Sequence, residues 1–105
     1  MKRIIALVSF IVFATVAYAQ TSTPRIDRRE HTQRARIRQG VASGELTRRE
    51  TVHARQDQRH IRRTERRAKA DGTVTRRERA HITREQNQAS RSLYRNKHDR
   101  QVRRY

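Results

Sequence analysis

Two short stretches decide the fold of this chain: Leu46-Thr47-Arg48-Arg49-Glu50 and, 28 residues later, Val74-Thr75-Arg76-Arg77-Glu78. In each stretch a threonine stands three residues before a glutamate, which is the pattern of a capping box. The threonine hydroxyl accepts a hydrogen bond from a backbone N–H of the first helical turn, and the glutamate carboxylate accepts one from the threonine N–H. We therefore predict two helix starts, capped by Thr47 with Glu50 and by Thr75 with Glu78.

The likeness between the two stretches extends on both sides. Gly44 and Gly72 precede them at the same distance, and His53 and His81 follow at the same distance. A repeated unit of turn plus helix explains this spacing.

A third helix is predicted before the two repeats. Thr23 is a good cap residue, Pro24 follows at the first helical position, and Gly40 is a plausible C-terminal stop. We predict helices at about 24–40, 47–70 and 75–97. The fold class is all-α, a two- to three-helix hairpin or bundle whose last two helices are antiparallel, with partly disordered termini.

Residues at spacings of three and four mark the inward faces of the helices. The first helix contributes Ile26, Gln33 and Ile37. The second and third contribute Glu50, Ala54, Gln58, Ile61, Glu65 and Ala68, and Glu78, Ile82, Gln86, Ala89 and Leu93. Since these faces are narrow, partly polar and without a cysteine to crosslink them, we expect a marginally stable bundle.

The first nineteen residues have the three parts of a secretory signal peptide. Lys2 and Arg3 form the positive region, residues 4–16 are almost wholly apolar, and Ala17-Tyr18-Ala19 is a cleavage pattern. We expect cleavage after Ala19, a basic helical region over 20–105, and a secreted or periplasmic protein. An uncleaved N-terminal anchor is the alternative interpretation.

Composition indicates the kind of partner. Without Lys2 and Arg3, 25 lysines and arginines face ten aspartates and glutamates, a net charge of +15, and 23 of those 25 are arginines. Such a chain attracts polyanions, and the arginine fork suits phosphate and carboxylate. The predicted anion-binding residues are Arg48, Arg49, Arg62, Arg63, Arg66, Arg67, Arg76 and Arg77. A merely solvated charged surface is the alternative. With few aromatic residues, nucleic acid is expected to bind only nonspecifically.

No catalytic residues and no cofactor are predicted, because the serines lack a nucleophile-elbow context and no glycine-rich phosphate loop exists. The turns before Glu50 and Glu78 resemble the second half of an EF-hand loop. However, positions 1 and 3 would be Gln39 and Val41 in one loop, and Arg67 and Lys69 in the other. Cations at those positions repel calcium, so no metal ligand is assigned.

The Glu-x-x-His pairs Glu50/His53 and Glu78/His81 have the spacing found in di-iron bundles. Each pair lies at the start of its helix, and in an antiparallel hairpin these starts are roughly 30 Å apart. The two pairs are therefore not expected to share a metal within one chain.

The boxes at 46–50 and 74–78 resemble the LTxxQ boxes of periplasmic stress proteins of the Spy and CpxP type, with glutamate in place of glutamine and Val74 in place of leucine. The resemblance implies a small, exported, all-helical protein, and some of those proteins are ATP-independent chaperones with a basic concave face. The tail at 93–99 is more similar to small exported bacterial proteins of unknown function.

From these observations we expect a non-enzymatic, exported, basic helical protein that binds anionic proteins or envelope polyanions, with chaperone-like or stress-related activity. A homo-oligomer is possible, and no stable membrane span is expected after cleavage. A degenerate calcium- or metal-sensing module is the alternative function.

Overall fold

The computed structural model describes residues 21–101, which form three helices. These are α1 at Pro24–Ala42, α2 at Arg48–Lys69 and α3 at Arg76–His98. No strand occurs within 21–101, so the predicted all-α fold is confirmed. The expected signal peptide and the last four residues lie outside the described part of the chain.

Both predicted capping boxes are present. The backbone N–H of Thr47 donates to Glu50 Oε2 at 2.8 Å, and that of Glu50 donates to Thr47 Oγ1 at 3.3 Å. The corresponding distances between Thr75 and Glu78 are 2.8 and 3.2 Å. Each box pairs donors that a helix start would otherwise leave unpaired, so α2 and α3 begin one residue after the threonine.

The end of α1 differs from the prediction. Gly40 does not stop the helix, which continues to Ala42. The chain turns instead at Gly44, whose φ of +78° is a left-handed conformation that glycine adopts without steric cost. Gly40 is required for another reason: a Cβ there would lie 2.7 Å from Cγ and Cδ1 of Leu46.

The helices run up, down and up. At one end of the bundle the Thr23 hydroxyl donates to Glu65 Oε1 at 2.6 Å, which places the start of α1 beside the C-terminal part of α2. At the other end Lys97 Nζ lies 3.3 Å from Glu45 Oε2, which places the end of α3 beside the α1–α2 turn. The predicted antiparallel hairpin of α2 and α3 is therefore present, and α1 packs against both of its helices.

The core consists of two apolar clusters. The first contains Ile26, Ile61, Ala68, Val74, Ile82 and Ala89. The second contains Ile37, Leu46, Ala54 and Leu93, with Val41 packed against it. Leu46 and Val74, the residues before the two caps, are both buried, so the repeat supplies one apolar side chain to each cluster.

A layer of three buried glutamines, one from each helix, crosses the core. Gln58 Nε2 donates to Gln33 Oε1 at 2.9 Å, Gln33 Nε2 donates to the Gln86 carbonyl at 2.8 Å, and Gln86 Nε2 donates to the Ile26 carbonyl at 3.0 Å. Each side-chain NH₂ group thus has an acceptor on another helix, whereas Gln58 Oε1 and Gln86 Oε1 are buried without a hydrogen-bond partner in the described residues. The three bonds favour one register of the helices.

The predicted inward faces need one correction. Glu50 and Glu78 are only half-buried, because their carboxylates turn back to cap the helix starts. Thr51 takes the buried place on α2, where its hydroxyl donates to the Thr47 carbonyl at 2.9 Å.

Candidate anion-binding surface

The surface charge is determined by where the few carboxylates lie. Glu50 and Glu78 cap helices, and Glu45 pairs with Lys97. Glu30 is buried and faces Arg62 at 3.5 Å and Arg34 at 3.9 Å. Because so many carboxylates have structural roles, few remain to neutralise arginines at the surface.

The Glu65 carboxylate has several polar contacts. It is buried, accepts from Thr23, and lies 2.8 Å from Lys69 Nζ. Burial favours its neutral form, but the hydrogen bonds from Lys69 and Thr23 outweigh burial and lower the pKa of Glu65. The neighbouring Asp27 shows the opposite shift, because burial and the charge of Glu65 raise the pKa of Asp27.

Seven of the eight predicted anion-binding arginines are exposed and have no ionic partner within residues 21–101. The exception is Arg62, which is half-buried and pairs with Glu30. The seven are Arg48, Arg49, Arg63, Arg66, Arg67, Arg76 and Arg77. Their guanidinium groups are available to external anions.

These arginines do not form one patch. Arg48 and Arg49 lie in the first turn of α2, at the end of the bundle that holds Lys97. Arg66 and Arg67 lie in its last turn, roughly 25 Å away along a helix that rises 1.5 Å per residue. The two arginine pairs of α2 therefore lie at opposite ends of the bundle.

The structure does bring Arg67 and Arg77 together. Both line a recess of about 310 Å³ between α2 and α3, with Thr64, Ala68, Glu78 and His81. The two arginines come from the end of one helix and the start of the next, which the antiparallel hairpin places side by side.

A second groove between α2 and α3 was not predicted. It has a volume of about 380 Å³ and is lined by His53, Asp57, His60, Ile61, Glu85, Gln88, Ala89, Ser92 and Arg95. Glu85 Oε1 lies 3.0 Å from His60 Nε2 and 3.4 Å from His81 Nε2. The spacing of four between His81 and Glu85 was visible in the sequence, but the contact with His60 depends on the pairing of the two helices.

The metal hypotheses gain no support from this geometry. Within residues 21–101, no group of three or more histidines, cysteines, aspartates or glutamates is arranged to hold a metal ion. Glu50 and Glu78, which both hypotheses require, accept hydrogen bonds from their own caps.

The chain was compared with models of protein families, with curated proteins and with solved structures, and none of them matched. In the described part of the chain, no helix is both long and apolar enough to cross a bilayer.

Proposed function

We propose that this chain is a non-enzymatic, exported helical protein that binds anionic partners through the arginines on its helix faces. The observation that carries the proposal is that seven of the predicted arginines are exposed without an ionic partner in the described residues, while the carboxylates beside them cap helices or pair internally. Unpaired guanidinium groups on a rigid scaffold are suited to carboxylate or phosphate, which the arginine fork contacts with two hydrogen bonds.

The proposed binding is driven by charge and not by apolar capture. Among the described residues, the exposed large hydrophobic side chains are Val52 and Tyr94. A surface with so little apolar area does not hold unfolded chains by their hydrophobic segments. A stress-related, chaperone-like activity of this protein would therefore hold acidic proteins, and it would weaken as salt screens the charges.

The test uses the protein purified after expression of the full chain. We expect polyglutamate, followed by fluorescence anisotropy, to bind at low salt and to be released as salt increases. Suppression of aggregation of an acidic client protein is expected to follow the same salt dependence. Binding that is unaffected by salt would contradict the proposal.

A matched pair of variants shows whether arginine chemistry or charge alone matters. Replacement of Arg66, Arg67, Arg76 and Arg77 by lysine keeps the net charge, and replacement by glutamine removes four positive charges. We expect the lysine variant to bind several-fold more weakly than the wild-type protein, because an ammonium group lacks the planar fork. The glutamine variant is expected to bind more weakly still. Equal affinity of all three proteins would show that these four arginines do not bind the anion.

We propose that the protein is exported, because its first nineteen residues have the three parts of a secretory signal peptide. Expression of the full chain in a bacterial host is expected to give a periplasmic or secreted product whose intact mass corresponds to a chain beginning at Gln20. A cytosolic, uncleaved product would contradict this part of the proposal.

A further inference from the structure

The four carboxylates of α1 and α3 all lie on the sides of these helices that face α2, although Glu78 caps the start of its own helix and reaches α2 only through a shared recess. Their partners or neighbours on that helix are Glu65 for Asp27, Arg62 for Glu30, Arg67 for Glu78 and His60 for Glu85. The surface on which α1 and α3 meet away from α2 therefore receives no carboxylate from either helix.

That surface, which we call the α1/α3 face, carries arginines at helical spacing. Arg25 and Arg29 line a recess of about 240 Å³ with Ile26, Thr83 and Gln86. Arg36 is exposed and lies seven residues after Arg29, two turns further along the same side of α1. The three guanidinium groups are thus spread over roughly 16 Å of helix.

Asn87 holds one of these arginines in place. Arg29 Nη1 donates to Asn87 Oδ1 at 2.8 Å, a contact that joins α1 to α3. The amide oxygen positions the guanidinium group without cancelling its charge. Arg29 is therefore pre-oriented and still able to bind an anion.

An exposed aromatic ring lies on the side of α3 that carries Asn87, and so belongs to the α1/α3 face. Tyr94 follows Asn87 by seven residues and Ser90 by four, and Ser90 contacts Gln33 of α1. Tyr94 is 63% exposed, and its ring stacks on His98 with centroids 4.0 Å apart. This pair offers an aromatic surface at one end of the arginine row.

We propose that the α1/α3 face binds a single strand of nucleic acid without sequence preference, with phosphates on Arg25, Arg29 and Arg36 and a base stacked on Tyr94. Positive grooves that follow a backbone, combined with aromatic side chains, are the usual means of such binding. The carboxylate-free face provides the charge complementarity, and the scarcity of exposed apolar side chains disfavours a hydrophobic partner. This inference rests on the charge-driven anion binding of the proposed function, but it assigns a further site on other arginines and names a nucleic-acid strand as its partner.

The first experiment compares two triple variants of the full-length protein with equal loss of charge. One is R25Q/R29Q/R36Q on the α1/α3 face. The other is R38Q/R55Q/R59Q on other sides of α1 and α2, where all three arginines are exposed, have no ionic partner in the described residues and are not among the seven arginines of the proposed function. The probe is a labelled oligothymidylate of about 16 nucleotides, followed by anisotropy over a salt series. Circular dichroism checks that both variants remain helical.

We expect the first variant to bind at least ten times more weakly than the second. In a plot of the logarithm of the binding constant against the logarithm of salt concentration, the magnitude of the slope is expected to fall by about 2. Each phosphate contact with a single strand contributes roughly 0.7 to that slope, and three contacts are removed. Equal weakening by both variants would overturn the inference and leave the proposed function standing. No binding of oligothymidylate, polyphosphate or polyglutamate by the wild-type protein would overturn both.

A second variant separates stacking from charge. Tyr94→Ala is expected to weaken oligothymidylate binding by about fivefold or more, because a stacked base is lost. Binding of polyphosphate, which has no bases, is expected to be unchanged. Loss of both ligands, or of neither, would contradict a stacking role. Tighter binding of polyglutamate or anionic vesicles than of oligothymidylate would contradict the choice of partner.

Discussion

Thr23 Oγ1 lies 2.6 Å from Glu65 Oε1 and joins the residue before α1 to the C-terminal half of α2. Both residues are buried, and Lys69 Nζ lies 2.8 Å from the same carboxylate oxygen, Glu65 Oε1. Because this contact joins residues 42 positions apart, it contributes to the docking of α1 onto the α2–α3 hairpin.

The stability of the bundle should depend on pH through this contact. The pKa of Glu65 is lowered from its ordinary value of 4.5, so its stabilisation is present above pH 4.5 and is lost as pH falls through the lower folded value. We expect Glu65→Gln to lower the free energy of unfolding by about 1–3 kcal/mol at pH 7. The difference from wild type should shrink below pH 4.5 in urea titrations.

Asp27 should show the opposite dependence. Its pKa is raised from 3.8, so its favourable contribution is present below pH 3.8 and is lost as pH rises through the folded value. We therefore expect Asp27→Asn to stabilise the protein at pH 7, by only about a few tenths of a kcal/mol because the group is largely solvent-screened. A destabilised Asp27→Asn variant at pH 7 would contradict the assignment.

The two capping boxes should each contribute measurably. Thr47→Ala and Thr75→Ala are expected to lower the free energy of unfolding by about 1 kcal/mol each, because a helix-start N–H loses its acceptor. Thr47→Ser and Thr75→Ser keep the hydroxyl and are the matched controls. Thermal melts in which serine and alanine behave alike would argue against capping as the cause.

Gly40→Ala tests the close approach of Leu46. Alanine is the better helix former, yet its Cβ would lie 2.7 Å from the Leu46 side chain. We expect a loss of about 1–3 kcal/mol from overpacking. In a Leu46→Ala background the same substitution should cost much less, and a double-mutant cycle by urea denaturation measures this coupling. Equal costs in both backgrounds would show that Leu46 is not the obstacle.

The glutamine layer should select one arrangement of the helices and add little to the free energy of unfolding. Gln33→Leu alone leaves Gln58 Nε2 without its partner, and we expect a cost of about 1–3 kcal/mol. Replacement of Gln33, Gln58 and Gln86 by leucine together removes the unpaired groups, so the triple variant should be more stable than any single one. We expect it to lose its unique helix register or oligomeric state.

Denaturation and light scattering, with NMR peak dispersion as the measure of a unique fold, check both parts of that prediction. A triple variant that is less stable than Gln33→Leu would contradict the proposed role of the layer.

The elements that were predicted correctly depend on local chemistry. The capping boxes, the helical period and the inward positions of Ala54, Gln58 and Ile61 follow from residues within a few positions of one another. The Gly40 prediction failed because a glycine is compatible both with a helix end and with a close contact, and only the position of Leu46 distinguishes them. Similarly, Arg25, Arg29 and Arg36 were missed as candidate site residues because their importance depends on which side of α1 faces α2.

The sequence by itself determined that this chain forms capped, basic helices, because hydrogen bonds of a helix start and the period of its apolar face are short-range properties. The tertiary structure decided which charges remain exposed. Glu30 and Glu85 meet Arg62 and His60 of α2, and Glu78 caps its own helix, so the packing leaves the α1/α3 face without a carboxylate from either helix. Such a separation of charge depends on contacts between residues that are distant in the chain.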